Sequence, residues 1–142
     1  MDRVEPIIYE VLGQPTAKGR ARSVMRGKFI AHVTPEKTRV AENSFLAQSL
    51  AHKPPTPFVG PVKLSIAFII AIPESKSKKW KGAAMEGSEL PTKKPDIDNL
   101  AKLVLDSLNG VFWLDDKQVV ALDLVKIYGA IPKTIVKVEV IA

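Results

Sequence analysis

From Lys94 to Val120 the chain reads KPDIDNLAKLVLDSLNGVFWLDDKQVV, an apolar stretch of helical period with two acids at each end, Asp96 with Asp98 and Asp115 with Asp116. No other segment restricts the fold as much. With Asp98 set at zero, Lys102 falls at about 40° and Asp106 at about 80°, whereas Leu100, Leu103, Val104, Leu105 and Leu108 spread over roughly 140° to 340°. Such a helix has to be covered by protein over most of its circumference, leaving one polar stripe at a cleft. Asp98 is expected to cap it, with the helix running from Asn99 to Asn109 and Gly110 as its stop.

Whether the two acidic pairs meet is a question of reach. A helix of about 11 residues is roughly 16 Å long, and an extended Gly110–Asp116 segment spans about 23 Å, so an antiparallel return can bring the second pair beside the first. Neighbours in extended chain point to opposite faces, so one of Asp115 and Asp116 enters the cleft and spacing does not say which. Converging carboxylates repel one another unless a cation lies between them, and oxygen ligands favour Mg²⁺ or Mn²⁺. Such an ion polarises a phosphodiester oxygen and activates water, and Lys102 would neutralise phosphate charge. The same D-x-D-N string is also a turn that caps a helix, and spacing leaves both readings open.

The remainder of the chain says what kind of partner to expect. In 142 residues, 46% hydrophobic, there is material for one domain over residues 1–142 with a sizeable core. The 21 Lys and Arg against 15 Asp and Glu give +6, which points to a polyanionic partner such as nucleic acid. Absence of cysteine excludes disulfides, thiolate zinc sites and Cys nucleophiles, and His32 and His52 alone exclude a histidine-rich metal site. The longest apolar run, Leu64–Ile72, is too short to span a membrane, and no signal peptide precedes it, so a soluble cytoplasmic protein is expected.

Residues 4–12 read as an edge strand. From Gly13 to Lys28 there are five cations, Lys18, Arg20, Arg22, Arg26 and Lys28, and no acid, which suits a loop or loose hairpin contacting phosphates. A short strand over Lys28–Val33 leads to Thr34 as N-cap and Pro35 at the first position of a helix running to about His52, with Val40, Phe45, Leu46 and Leu50 on its core side. His52 is read as a partner of that helix's C-terminal dipole. Val62–Ile72 reads as the central strand. Glu74–Lys94, with Lys76, Lys78, Lys79, Lys81, Lys93 and Lys94, is a mobile connection or a short Lys-rich helix, in which Trp80 packs on the domain or stacks on a base. Val119–Tyr128 and Thr134–Ile141 are expected to close the chain as an antiparallel hairpin. The class is α+β, one mixed sheet of about five strands with two main helices.

The string PDIDNLAKLVLDSLNGVFWLDDKQV resembles the D-[IL]-D-N-x-x-K-x-x-x-D-x-L…W-x-D-D-x-Q-[VI] core of the RusA family of Holliday junction resolvases, and GQPTAKGRAR resembles the basic P-x-x-K-G-R-x-R segment of its phage-type members. The resemblance implies a bacterial or phage-encoded homodimer, dependent on Mg²⁺, that cuts paired strands at four-way DNA junctions in recombination and repair. By that match Asp96, Asp98 and Asp116 are the metal-binding acids and Lys102 the essential lysine. Asp115 and Asp106 match motif acids whose roles the resemblance leaves open, Asp115 as a further metal ligand and Asp106 either as a catalytic group or as a structural partner of Lys102 across one helical turn. The family's founding type has basic residues directly before the first Asp, where this chain has Pro95 with Lys93 and Lys94 behind it. The missing charge is expected from the arm (Lys18, Arg20, Arg22, Arg26, Lys28) and from Lys76, Lys78, Lys79, Lys93 and Lys94. A non-catalytic basic DNA-binding module, and a metal-dependent enzyme acting on another phosphoester, are the competing readings.

Overall fold

In Val62–Ala71 every second side chain, from Val62 through Leu64, Ile66 and Phe68 to Ile70, is buried, which is what a strand covered on one face requires. The computed structural model describes residues 4–19, 22–33 and 35–141. In chain order the elements are β1 (Ile7–Leu12), β2 (Arg22–Arg26), β3 (Phe29–Val33), α1 (Glu36–Ser49), β4 (Val62–Ala71), α2 (Lys78–Glu86), α3 (Ile97–Leu108), β5 (Val119–Gly129) and β6 (Lys133–Val140), with 3-10 turns at Leu50–His52 and Asp116–Gln118. Four strands form a mixed sheet in the order β1-β6-β4-β5, and β2 and β3 form a separate antiparallel hairpin. The class is α+β as expected. Among the described residues no helix is long and apolar enough to cross a membrane.

β4 lies inside the sheet, parallel to β5 and antiparallel to β6. The expected β5–β6 hairpin is therefore not formed: the two strands flank β4 instead of each other. The cause lies in β4, whose apolar residues accept partners on both edges; Leu64 and Ile66 pair with the equally buried Val138 and Val136. At the crossover a Cβ on Gly129 would collide with Ile69, so the chain needs glycine there. β1 is an edge strand, as expected of residues 4–12, and pairs only with β6 among the sheet strands.

The helices α1 and α3 cover the buried face. α1 begins at Glu36 with Pro35 in the cap position, one residue later than expected, and the expected cap, Thr34, lies outside the described residues. Its core side is also different, because Val40 and Leu50 are 60% and 44% exposed while Thr38, Phe45 and Ser49 are buried. Polar partners explain this. Tyr9 OH donates to Ser49 Oγ at 2.9 Å, and Ser49 Oγ donates to Phe45 O at 2.8 Å, so a hydroxyl pair stands where an apolar contact was expected. His52 stacks on the Tyr9 ring, centroids 4.7 Å apart.

Burial pushes the Tyr9 phenol up to about 12, against a smaller opposing effect of the Ser49 bond. The folded chain thus favours the neutral form, so this contribution is complete below about pH 10 and is lost as pH rises towards 12. Between pH 9 and pH 11 urea melts should show the wild type losing about 1 kcal/mol more than Tyr9→Phe, whose cost at neutral pH is about 1 kcal/mol.

α2 settles the Lys-rich connection as a short helix. Ser77 caps it by accepting the Trp80 N–H at 3.1 Å, and Gly87 (φ 86°) ends it in the left-handed region. Trp80 meets Tyr128 of β5 edge-on at 5.4 Å, the packing role, while Lys76 Nζ lies 4.9 Å over the indole.

Candidate functional site

α3 buries Leu100, Leu103, Val104 and Leu108 of the apolar arc read from the sequence, together with Ala101, and leaves Leu105 half-buried. It starts two residues earlier than expected: Asp96, not Asp98, holds the cap position (φ −72°, ψ 139°), and Asp98 sits in the first turn. Both carboxylates are exposed at the helix N-terminus, where backbone N–H groups and the helix dipole favour negative charge. Lys102 is exposed one turn further on. Among the described residues none of these three forms an ion pair, so their charges are available to a ligand.

Asp106 has a different partner from the one expected. Its carboxylate takes the ammonium of Lys18, 88 residues away in sequence, with Glu42 3.9 Å from the same nitrogen. The Lys18 N–H also donates to Asn99 O at 3.0 Å, and the Gly19 N–H donates to Thr38 Oγ1 at 2.9 Å. A Cβ on Gly19 would press on Thr38 and Pro35. The arm is thereby fastened to α3 and α1, and the hydrogen bond to Asp106 holds the Lys18 ammonium above the usual lysine range. Lys18 is directed at the protein. Of the other arm cations, Arg22 and Arg26 lie on β2, Lys28 is exposed at the β2–β3 turn, and Arg20 lies outside the described residues. Lys76, Lys78, Lys79, Lys93 and Lys94 are all exposed. A groove of about 630 Å³ runs between Gln14–Gly19, Pro35–Thr38 and Lys94–Pro95, with Lys37 and Lys94 on its walls.

The second acidic pair does not return to the first. After α3 the chain turns at Gly110 (φ 79°), whose N–H donates to Trp113 O at 2.7 Å, and this turn buries Phe112 and Trp113 completely. Asp115 stands at the cap of the 3-10 turn in a capping box with Gln118. The Gln118 Oε1 accepts the N–H groups of Leu114 and Asp115, and its Nε2 donates to Phe58 O and Gly60 O at 2.7 and 3.0 Å. Asp116 Oδ1 accepts the Trp113 Nε1–H at 2.8 Å. Both acids are held at the C-terminal end of α3, about 18 Å along a 12-residue helix from Asp96. The reach exists, but the turn at Gly110–Trp113 and the pairing of Val119 with Val62 use the chain otherwise.

The residue that does return is Lys126. β5 runs back along α3, and the Lys126 ammonium donates to Lys93 O at 2.9 Å and to Pro95 O at 2.8 Å, beside Asp96. Neither it nor Gln118 stood out in the sequence; the signal was a lone lysine in a strand whose one other charge is Asp123, and a glutamine two residues after an acid pair.

Among the described residues no three acidic or histidine side chains of one chain stand together as a metal-holding group. Asp96 and Asp98 nevertheless fit a hard divalent ion. Their donors are carboxylate oxygens, and Mg²⁺ is typically held by one or two carboxylates, with substrate phosphate oxygens and water filling the other positions.

A family model for the endodeoxyribonuclease RusA matches residues 13–139. The chain is also similar to the uncharacterized protein YqaN of Bacillus subtilis (strain 168), 35% identical over 135 residues, which cover 94% of this chain and 95% of that protein.

Proposed function

Because this chain belongs to the RusA endodeoxyribonuclease family, whose members act on branched DNA, we propose that it resolves four-way DNA junctions in the cytoplasm by Mg²⁺-dependent phosphodiester hydrolysis. One observation carries the reading: Asp96 and Asp98 lie exposed at the N-terminus of α3 with Lys102 one turn on and lysines on the flanking surfaces. The bound ion, Mg²⁺ or Mn²⁺, would polarise the scissile phosphate and lower the pKa of an attacking water. Asp96 and Asp98 would hold it, and Lys102 would set the position and charge balance of the phosphate. Lys28, Arg20, Arg22 and Arg26 from the arm, with Lys76, Lys78, Lys79, Lys93 and Lys94, would neutralise the DNA backbone. Lys18 would act one step back by fixing the arm to α3.

Paired incision needs two sites, and a homodimer provides them by symmetry. It also gives Asp116 a place: since it lies at the far end of α3 from Asp96 and Asp98, it joins such a pair across two copies of the chain. The long separation within one chain equally suits a DNA-binding module whose acids only cap helices. The discriminating assay uses purified protein and a synthetic four-way junction with Mg²⁺. Symmetric nicks in opposite strands, with plain duplex left intact, are expected; binding without cutting in either Mg²⁺ or Mn²⁺ would favour the module.

A further inference from the structure

We infer that Lys126 is a positioning residue for the metal-binding acids, fixing the direction in which Asp96 leaves the chain; the inference rests on reading Asp96 and Asp98 as the metal pair. On β5 the side chains of Leu124, Lys126 and Tyr128 share the face turned to the helices: Leu124 packs against the core and Tyr128 meets Trp80. Lys126, between them, is half-buried and forms no ion pair among the described residues. Its ammonium serves two carbonyl oxygens that flank Lys94, those of Lys93 and Pro95. The second of these matters most. The Pro95 carbonyl and the Asp96 N–H belong to one rigid peptide plane, so holding the oxygen fixes the plane on which Asp96 is mounted.

Pro95 itself, having no N–H, makes no backbone donor bond that would fix this entry to the helix. Among the described residues the only backbone bond at Asp96 runs forward, from the Leu100 N–H to its carbonyl at 3.0 Å, into α3. Lys126 therefore links the loop in front of the acids to the sheet behind them. A lysine reaches both carbonyls because its three donors radiate from one atom, whereas glutamine offers a shorter amide and methionine no donor. Arginine differs in shape, but its planar fork of donors can also span two acceptors, and it is the replacement that keeps the charge.

The test is a calorimetric titration of Mn²⁺ into the DNA-free protein for the wild type, Lys126→Arg, Lys126→Gln and Lys126→Met, with Asp98→Asn as reference. Loss of a group that orients a ligand typically weakens metal binding 10- to 100-fold. Lys126→Met is expected to bind Mn²⁺ about tenfold more weakly, Lys126→Gln between it and the wild type, and Lys126→Arg within about threefold of the wild type. Four-way-junction affinity in EDTA should stay unchanged in all three. If Lys126→Met does not fold, the Gln and Arg variants, which keep donors, make the same comparison. Equal Mn²⁺ affinity in the lysine variants, with Asp98→Asn weakened, overturns the inference alone. Unchanged Mn²⁺ binding by Asp98→Asn removes the metal pair and the inference with it. A loss of junction affinity in EDTA with Mn²⁺ affinity intact would make Lys126 a DNA contact instead.

Discussion

Asp98→Asn is expected to bind a four-way junction in EDTA as the wild type does and to cut it on the order of 10³-fold more slowly in Mg²⁺. The substitution keeps the shape of the side chain and removes one of two uncompensated charges at the N-terminus of α3. Loss of an anion from a first helical turn costs about 0.3–1 kcal/mol, so the fold should survive. Asp116→Asn is expected to be equally slow, although Asp116 lies at the other end of the helix. Mixing the two variants separates an intermolecular site from an intramolecular one. In a mixed dimer the Asp116→Asn chain keeps Asp96 and Asp98, and its partner keeps Asp116, so one composite site is whole. Random reassociation should restore about a quarter of the wild-type sites. A mixture no faster than either variant alone, measured as nicks per dimer, would sink the shared site.

Trp113→Ala should produce the largest loss of stability among single substitutions in this region, about 3–5 kcal/mol by urea unfolding. The indole is completely buried against Phe112, with ring centroids 6.5 Å apart, and the turn that begins at Gly110 closes on its carbonyl. Part of that loss is volume and part is the hydrogen bond to Asp116. Trp113→Phe divides the two. It retains most of the apolar contact, lacks the donor, and leaves the Asp116 carboxylate free to rotate. Its stability cost should be under half that of the alanine variant, while cleavage falls about tenfold. A phenylalanine variant as active as wild type would show that the indole N–H does not set the Asp116 geometry.

The apolar helix and the central strand could be read from the sequence because each writes its period locally: Leu100, Leu103, Val104 and Leu108 on one arc, and Val62 to Ile70 in alternation. The class followed from those two elements. What could not be read were choices between partners of equal local merit. β6 pairs with β4 instead of β5 because the alternation of β4 suits either edge, and nothing in β5 or β6 alone ranks them. The side of α1 facing the core was misread because Ser49 is buried through Tyr9, 40 residues away, an interaction without periodicity. The pairing of Asp106 with Lys18 was hidden for the same reason, since a lysine one turn away on the same helix looked the nearer partner. For the site, Asp98 and Lys102 stand one turn apart on α3, as the helical angles put them, whereas Asp116 was misplaced by an argument from reach. Reach bounds where a chain can go; the Gly110–Trp113 turn decided where it went.

β6 sits between β1 and β4, so the earliest strand of the sheet stays unpaired until the last one is made. During synthesis residues 7–12 have no ladder partner until residues 133–140 clear the ribosome, and β4 exposes one whole edge for the same interval. Folding of this sheet is therefore a late, nearly all-or-none event on the nascent chain. For a member of an endodeoxyribonuclease family this has a protective side: a partly made or prematurely terminated chain has no finished platform behind α3 on which to hold the acids proposed to bind the metal.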